Sequence, residues 1–156
     1  MTFEESIEID AGPDELFRLS QDYGRRLEWD PFLWSAGLVD AREAGVGVRA
    51  LCVARSGWAM ETEYVSFNPP RATAVKMTRG PWFLSGFAGS WRFEEIEPGR
   101  TRVGFRYSLE ARPRALSWLL NPILARSFAR DTRARLRALK AAVERTAPSR
   151  WPVGGP

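Results

Sequence analysis

An α+β fold is expected from this chain: one strand, two short helices, a six-strand antiparallel meander and one long C-terminal helix. Three observations predict it. Residues 34–111 divide into short runs of strand-forming residues separated by turn signals. Residues 114–144 repeat their apolar positions at helical spacing instead, and an alternating run at 3–10 gives way at once to a helix-start signal.

In FEESIEID (3–10) the alternation runs from Ser6, with Ile7 and Ile9 on one face and Glu8 and Asp10 on the other. That is a strand with one buried side. AGPDELFRLSQD (11–22) follows: Gly12 can occupy the cap, and Pro13 suits the first helical position, where no N–H is needed. Asp14 and Glu15 complement the positive end of the helix, and Leu16, Phe17 and Leu19 give it an inner side. YGRRLEW (23–29) predicts a second short helix, stopped by Asp30-Pro31.

The meander is written in WSAGLVDA, VGVRALCVA, WAMETEYVSF, ATAVKMT, WFLSGFAGSWRFEEI and TRVGFRYSLEA. REAG, RSG, NPPR, RGP and EPGR separate them, each carrying Gly or Pro. From Arg114 to Glu144, Leu120, Leu124, Phe128, Leu136, Leu139 and Val143 fall on one helical side. Arg126, Arg130, Arg133, Arg137 and Lys140 share the other. Pro122 lacks an N–H and crowds the carbonyl of Trp118, so a kink, or a restart capped by Asn121, is expected there. Residues 1–146 read as one domain and 147–156, with Trp151, as a disordered tail.

Composition narrows the chemistry. The chain has no histidine, which removes histidine triads, histidine metal sites and imidazole acid–base catalysis together, so neither a metal nor a cofactor is expected. A lone cysteine, Cys52, cannot form an internal disulfide and fits a reducing, cytoplasmic location. No apolar run is long enough to span a bilayer. Residues 112–150 carry ten Arg or Lys against Asp131 and Glu144, while the remainder holds thirteen basic and seventeen acidic residues. That asymmetry reads first as a solvated helix face, with weak contact to an acidic membrane surface as the alternative; a nucleic-acid partner is not expected.

The order of elements and several short pieces resemble the START-like superfamily, also called SRPBCC or helix-grip, nearest to its polyketide cyclase/dehydrase-type members. The pieces are SIEIDAGPDELF (6–17), LEWDPF (27–32), FNPPR (67–71), GPW…GSWRFEEIEPGRTRV (80–103) and RLRALKAAVE (135–144). The resemblance spans residues 3–146. It implies a helix-grip fold, in which a curved antiparallel seven-stranded sheet wraps the long C-terminal helix over a deep apolar cavity. Members bind lipids, sterols, quinones, polyketides or plant hormones, and some are enzymes.

On that architecture GPWFLSGFAGSWRF (80–93) acquires a purpose. Phe83, Ser85, Phe87, Gly89, Trp91 and Phe93 share one face by alternation, opposite Arg92 and Glu94; Val103, Phe105, Tyr107 and Leu109 share a face of the next strand. Gly86 and Gly89 can bend the strand and leave room beside the rings. A hydrophobic small molecule such as a lipid, quinone or polyketide-like aromatic is the expected ligand. The expected lining is Trp29, Trp58, Met60, Tyr64, Met77, Phe87, Trp91, Phe105 and Tyr107, closed by Leu124 and Phe128.

Catalysis would need polar groups in that lining. Tyr64 and Tyr107 point inward by parity, and a phenol can donate to a carbonyl or enolate oxygen. Arg135 could polarise a ligand carbonyl while Asp131, four residues earlier, holds it. Arg49 and Arg55 oppose Ala50 and Cys52 in parity and are expected outside, as are Glu61 and Glu63. Aromatase/cyclase members of the family are thought to orient a polyketide with pocket tyrosine, arginine and tryptophan, so a cyclase or dehydratase is the second expectation. The third is a lipid- or ribosome-associating module that acts through the basic C-terminal helix.

Overall fold

A computed structural model describes residues 2–146; the expected tail, with Trp151, lies outside the described residues. In chain order the elements are β1 (Thr2–Ile9), α1 (Pro13–Gln21), α2 (Arg26–Trp29), β2 (Leu33–Val39), β3 (Arg49–Ala54), β4 (Ala59–Asn68), β5 (Ala72–Arg79), β6 (Leu84–Glu97), β7 (Arg100–Ala111) and α3 (Ser117–Thr146). A single 3₁₀ turn, Arg114–Leu116, leads into α3. The seven strands form one antiparallel sheet in the order β1-β7-β6-β5-β4-β3-β2. Each strand of the meander pairs with its chain neighbour, and β1 closes on β7 with Ile7 opposite Val103. The sheet curls around α3 as the helix-grip fold requires.

Period-two burial appears where the sequence alternates most cleanly. Trp91 and Phe93 are buried on β6 and Val103, Phe105, Tyr107 and Leu109 on β7. Alternating Arg92, Glu94, Arg102 and Arg106 are exposed. The helix answers with Leu136, Leu139 and Val143, all essentially inaccessible. Each such side chain contributes about 1.5–3 kcal/mol by leaving water. These residues join Ile9, Leu16 and Phe17 in the core, so α3 lies directly on β1 and β7.

Local chemistry explains the ends. Gly12 caps α1 in extended conformation with Pro13 at the first helical positions, as anticipated. The helix α3 runs through Pro122 from Ser117 to Thr146 without the expected restart. Proline sits close to the helix start, so the cost is confined to the carbonyl of the exposed Trp118. Asn121 does not cap a second segment. Its Oδ1 accepts the N–H of Ala111 at 2.9 Å, which ties the start of α3 to the end of β7. Ser85 also departs from expectation. The pairing of β6 shifts between Leu84 and Gly86, so Leu84 is buried while Ser85 turns out and donates to the Glu110 carbonyl.

Antiparallel pairing gathers the β3–β4 turn, the β5–β6 turn and the β7–α3 connection at one end of the sheet. The Arg112 N–H donates to the Phe83 carbonyl at 2.8 Å, and the Trp58 and Phe83 rings meet edge to face at 4.9 Å. This end forms the mouth of the site below.

Candidate functional site

Between α3 and the β3–β6 side of the sheet lies a cavity of about 590 Å³. Trp58, Met60, Tyr64, Phe87, Trp91, Phe105, Leu124, Phe128 and Arg135, all expected from sequence, line it. Phe87 and Phe128 stack at 5.7 Å across the sheet–helix gap, and Trp91 meets Phe105 edge-on at 5.0 Å. Gly89 fits beneath these rings because a Cβ there would stand 3.0 Å from Phe105 Cζ and 3.4 Å from Phe87 Cε1. The glycine therefore makes room for Phe87 of its own strand and for Phe105 of the neighbouring β7. No atom crowds Gly86, whose place at the pairing shift matches a bend rather than a clearance.

Three expected lining residues lie elsewhere. Tyr107 is sealed under α3, with its ring against Phe3, Phe105 and Phe128 and its hydroxyl 3.4 Å from the Ala125 carbonyl. Helix and sheet touch directly on that side and leave no gap. Met77 packs into the core margin and lays its thioether over Gly80, where any Cβ would collide with it. Trp29 is buried but faces a separate cleft with Leu19 and Ala142, because Arg26 occupies the cavity side of that one-turn helix. Parity placed Arg55 outside; it lies past the end of β3, in the turn, and reaches the cavity mouth. Arg49 does face out, 3.5 Å from Glu61.

The polar end of the cavity combines α1, α2 and α3. Asp30, wholly buried, is approached at 2.9 Å by both Arg26 Nε and Arg135 Nε at its Oδ2, while its Oδ1 accepts the Phe32 N–H at 3.0 Å. Burial alone would push its carboxyl up, but Arg135 and Arg26 outweigh this and hold it below the ordinary carboxylate value. Arg135 is thus held by Asp30 and not by Asp131, which pairs with its neighbour Arg130 at 3.6 Å on the cavity wall. Across the helix axis from that wall, Arg133 grips the Glu5 carboxylate with two bonds, and Lys140 donates to the Glu8 backbone carbonyl and pairs with Glu144, so much of the basic face is engaged within the chain.

Tyr64 contributes a protonated phenol. Burial, reinforced by Tyr23, raises its pKa far above that of an ordinary tyrosine, and it donates to Gln21 Oε1 at 2.6 Å. The Tyr23 hydroxyl lies 3.3 Å from the Tyr64 oxygen and is likewise kept protonated by burial, against the pull of Arg26. Burial also raises the Cys52 thiol, leaving it a weak nucleophile. Among the described residues no group of His, Cys, Asp and Glu could hold a metal, and no helix is long and apolar enough to cross a membrane. The available chemistry is hydrogen-bond donation and positive charge at one end of an apolar chamber.

Gln21, Tyr23, Arg26 and Asp30 escaped sequence reasoning. Asp30-Pro31 reads as a helix stop, and the only visible hint is Arg26 four residues before Asp30, the spacing of a helical ion pair.

The family described as polyketide cyclase/dehydrase and lipid transport matches residues 1–144. The Zhui aromatase/cyclase from Streptomyces sp. R1128 superposes with a TM-score of 0.77 at 17% identity, over 96% of each chain. A START superfamily protein from Mycobacterium smegmatis gives 0.74 at 10% identity, over 92% of this chain and 97% of that one. A di-domain aromatase/cyclase, BexL of the BE-7585A biosynthetic pathway, gives 0.75 at 20% identity; the match covers 95% of this chain and 48% of BexL. At these identities the likeness is one of fold. No curated protein matches the sequence.

Proposed function

The chain belongs to the polyketide cyclase/dehydrase and lipid transport family, and we propose that it binds an apolar small molecule in the chamber between sheet and helix. The single observation that carries this reading is the cavity of about 590 Å³, walled by Phe83, Phe87, Trp91, Phe105 and Phe128. Pockets of about 300–1,000 Å³ with apolar walls and a few convergent polar groups are the usual form of a small-molecule site. The ligand class is a lipid, a quinone or a polyketide-like aromatic. Native mass spectrometry of freshly purified protein is expected to detect a co-purified apolar compound. Repeated recovery of empty protein, with no thermal shift across a library of lipids and aromatics, would overturn the reading.

A second reading, cyclase or dehydratase, is favoured by one observation: the Tyr23–Tyr64 phenol pair beside two guanidiniums. Such donors can stabilise charge developing on a substrate oxygen. Tyr64 and Arg135 stay as its catalytic candidates, and Tyr23 takes the place that Tyr107 cannot fill from beneath α3. Turnover of a polyketide-like substrate should fall in Tyr23→Phe and Tyr64→Phe while ligand binding survives; equal turnover in both variants would end this reading.

A further inference from the structure

The floor of the cavity carries an unbalanced charge. Two guanidiniums, Arg26 and Arg135, converge on one carboxylate, Asp30, whose side chain has no exposed surface. That carboxylate is fully committed, one oxygen to both arginines and the other to the Phe32 N–H. Arg26 is committed as well: Nε donates to Asp30, Nη1 donates to the Ser20 carbonyl at 2.8 Å, and its head lies 5.1 Å from the Trp29 ring.

Arg135 differs. Its side chain is 14% exposed, yet its Nε approaches Asp30 without an aligned hydrogen bond and has no acceptor among the described residues. The guanidinium lies 5.0 Å from the Phe32 ring and 6.0 Å from that of Phe105, and it lines the cavity. Burial, together with the charge of Arg26, lowers its pKa against the support of Asp30, but a guanidinium remains charged throughout the physiological range. The one carboxylate that lines the cavity itself, Asp131, is occupied with Arg130. Two buried positive charges that share a single counter-charge are costly.

We propose that this floor receives an anionic head group, so that the natural ligand is an apolar acid whose carboxylate, or comparably ionised oxygen, meets Arg135. This rests on reading the cavity as a ligand site and adds the charge of its occupant. The anion neutralises the surplus guanidinium in a water-poor setting, where planar Arg–carboxylate pairing is strongest. The protonated Tyr23 hydroxyl supplies a further donor at the same end. An ammonium head would meet two arginines and phenols that are kept neutral, so apolar amines are rejected.

Three probes of equal chain length test this by displacement of a neutral fluorescent dye: dodecanoate, methyl dodecanoate and dodecylamine. The acid is expected to bind at least about tenfold more tightly than the ester, with the amine weakest. This preference should persist at about 0.5 M salt, because buried charges are screened far less than exposed ones. Arg135→Gln should bring the acid-to-ester ratio close to one, Arg135→Lys should keep part of it, and Arg137→Gln on the exposed helix face should leave it intact. Should Arg135→Gln fail to fold, the wild-type ratio and the lysine variant still decide. Equal binding of acid and ester, or a preference that vanishes with salt or survives Arg135→Gln, overturns the anion site but leaves an apolar binding protein. Failure of the neutral dye and of all three probes to bind overturns both.

Discussion

Two arginine–carboxylate clusters sit on this molecule in opposite settings. On the outer face of β1, β6 and β7, Arg100 meets Glu8 at 2.7 Å and Asp10 at 3.8 Å, while Arg102 lies between Glu8 and Glu94 at 3.5 and 3.8 Å. Inside, Arg26 and Arg135 both lie 2.9 Å from Asp30. The groups are alike, and so are the shortest contacts, 2.7 Å outside and 2.9 Å inside; the solvent is not. Arg100, Glu8 and Arg102 are each more than a third exposed, so water and salt replace much of what the pairing offers. Asp30 has no exposed side-chain surface, and among the described residues no other carboxylate pairs with either of the two buried cations. Distance alone therefore says little about what an ion pair is worth; desolvation decides, and it also leaves only the inner cluster with a charge to offer a ligand.

The largest effect should come from Asp30→Asn. Removing the one carboxylate leaves two buried guanidiniums facing each other, and a loss of about 3–5 kcal/mol is expected in urea unfolding. The pH profile gives the same comparison its sign. Because the folded-state pKa of Asp30 is lowered, its contribution is fully present above the ordinary carboxylate value of about 3.9 and is lost as pH falls through the folded value. The acid limb of Asp30→Asn should lack that component. A variant as stable as the parent at neutral pH would contradict the account of the inner cluster.

Smaller, but sharper, is the double substitution Asp30→Asn with Arg135→Gln. It removes one of the two opposed cations and should recover about 1 kcal/mol relative to the single change, within the coupling of about 0.5–3 kcal/mol found for contacting groups. Strict additivity would mean that the two side chains do not sense each other. The smallest effect belongs to the outer cluster. Glu8→Gln should cost less than about 1 kcal/mol, and the difference should disappear in thermal melts at high salt. A loss comparable with that of Asp30→Asn would erase the distinction between the clusters.

Much of this was readable in the chain. Strand alternation put Met60, Thr62 and Tyr64 on one side of β4 and Glu61 and Glu63 on the other, and the cavity lining follows that division. Helical spacing likewise put Leu124 and Phe128 on the inner side of α3, opposite the solvent-facing arginines. Where prediction failed, a local count met a non-local event. Ser85 left its face because pairing slips by a residue before Gly86, and Arg55 escaped parity because the strand had ended. Tyr107 satisfies its alternation yet misses the cavity, because the distance between helix and sheet closes over β7.

Periodicity, turn chemistry and composition determined by themselves the element order, the buried faces, the aromatic lining and the absence of imidazole chemistry. These follow from backbone geometry and residue type, which act over a few neighbours. Only the tertiary structure decided that Asp30 joins Arg26 to Arg135, more than a hundred residues away in the chain, and that Asp131 does not. The physical reason is that the worth of a charge depends on the water it has lost, and that loss is fixed only when α2, α3 and the curled sheet close over the same space.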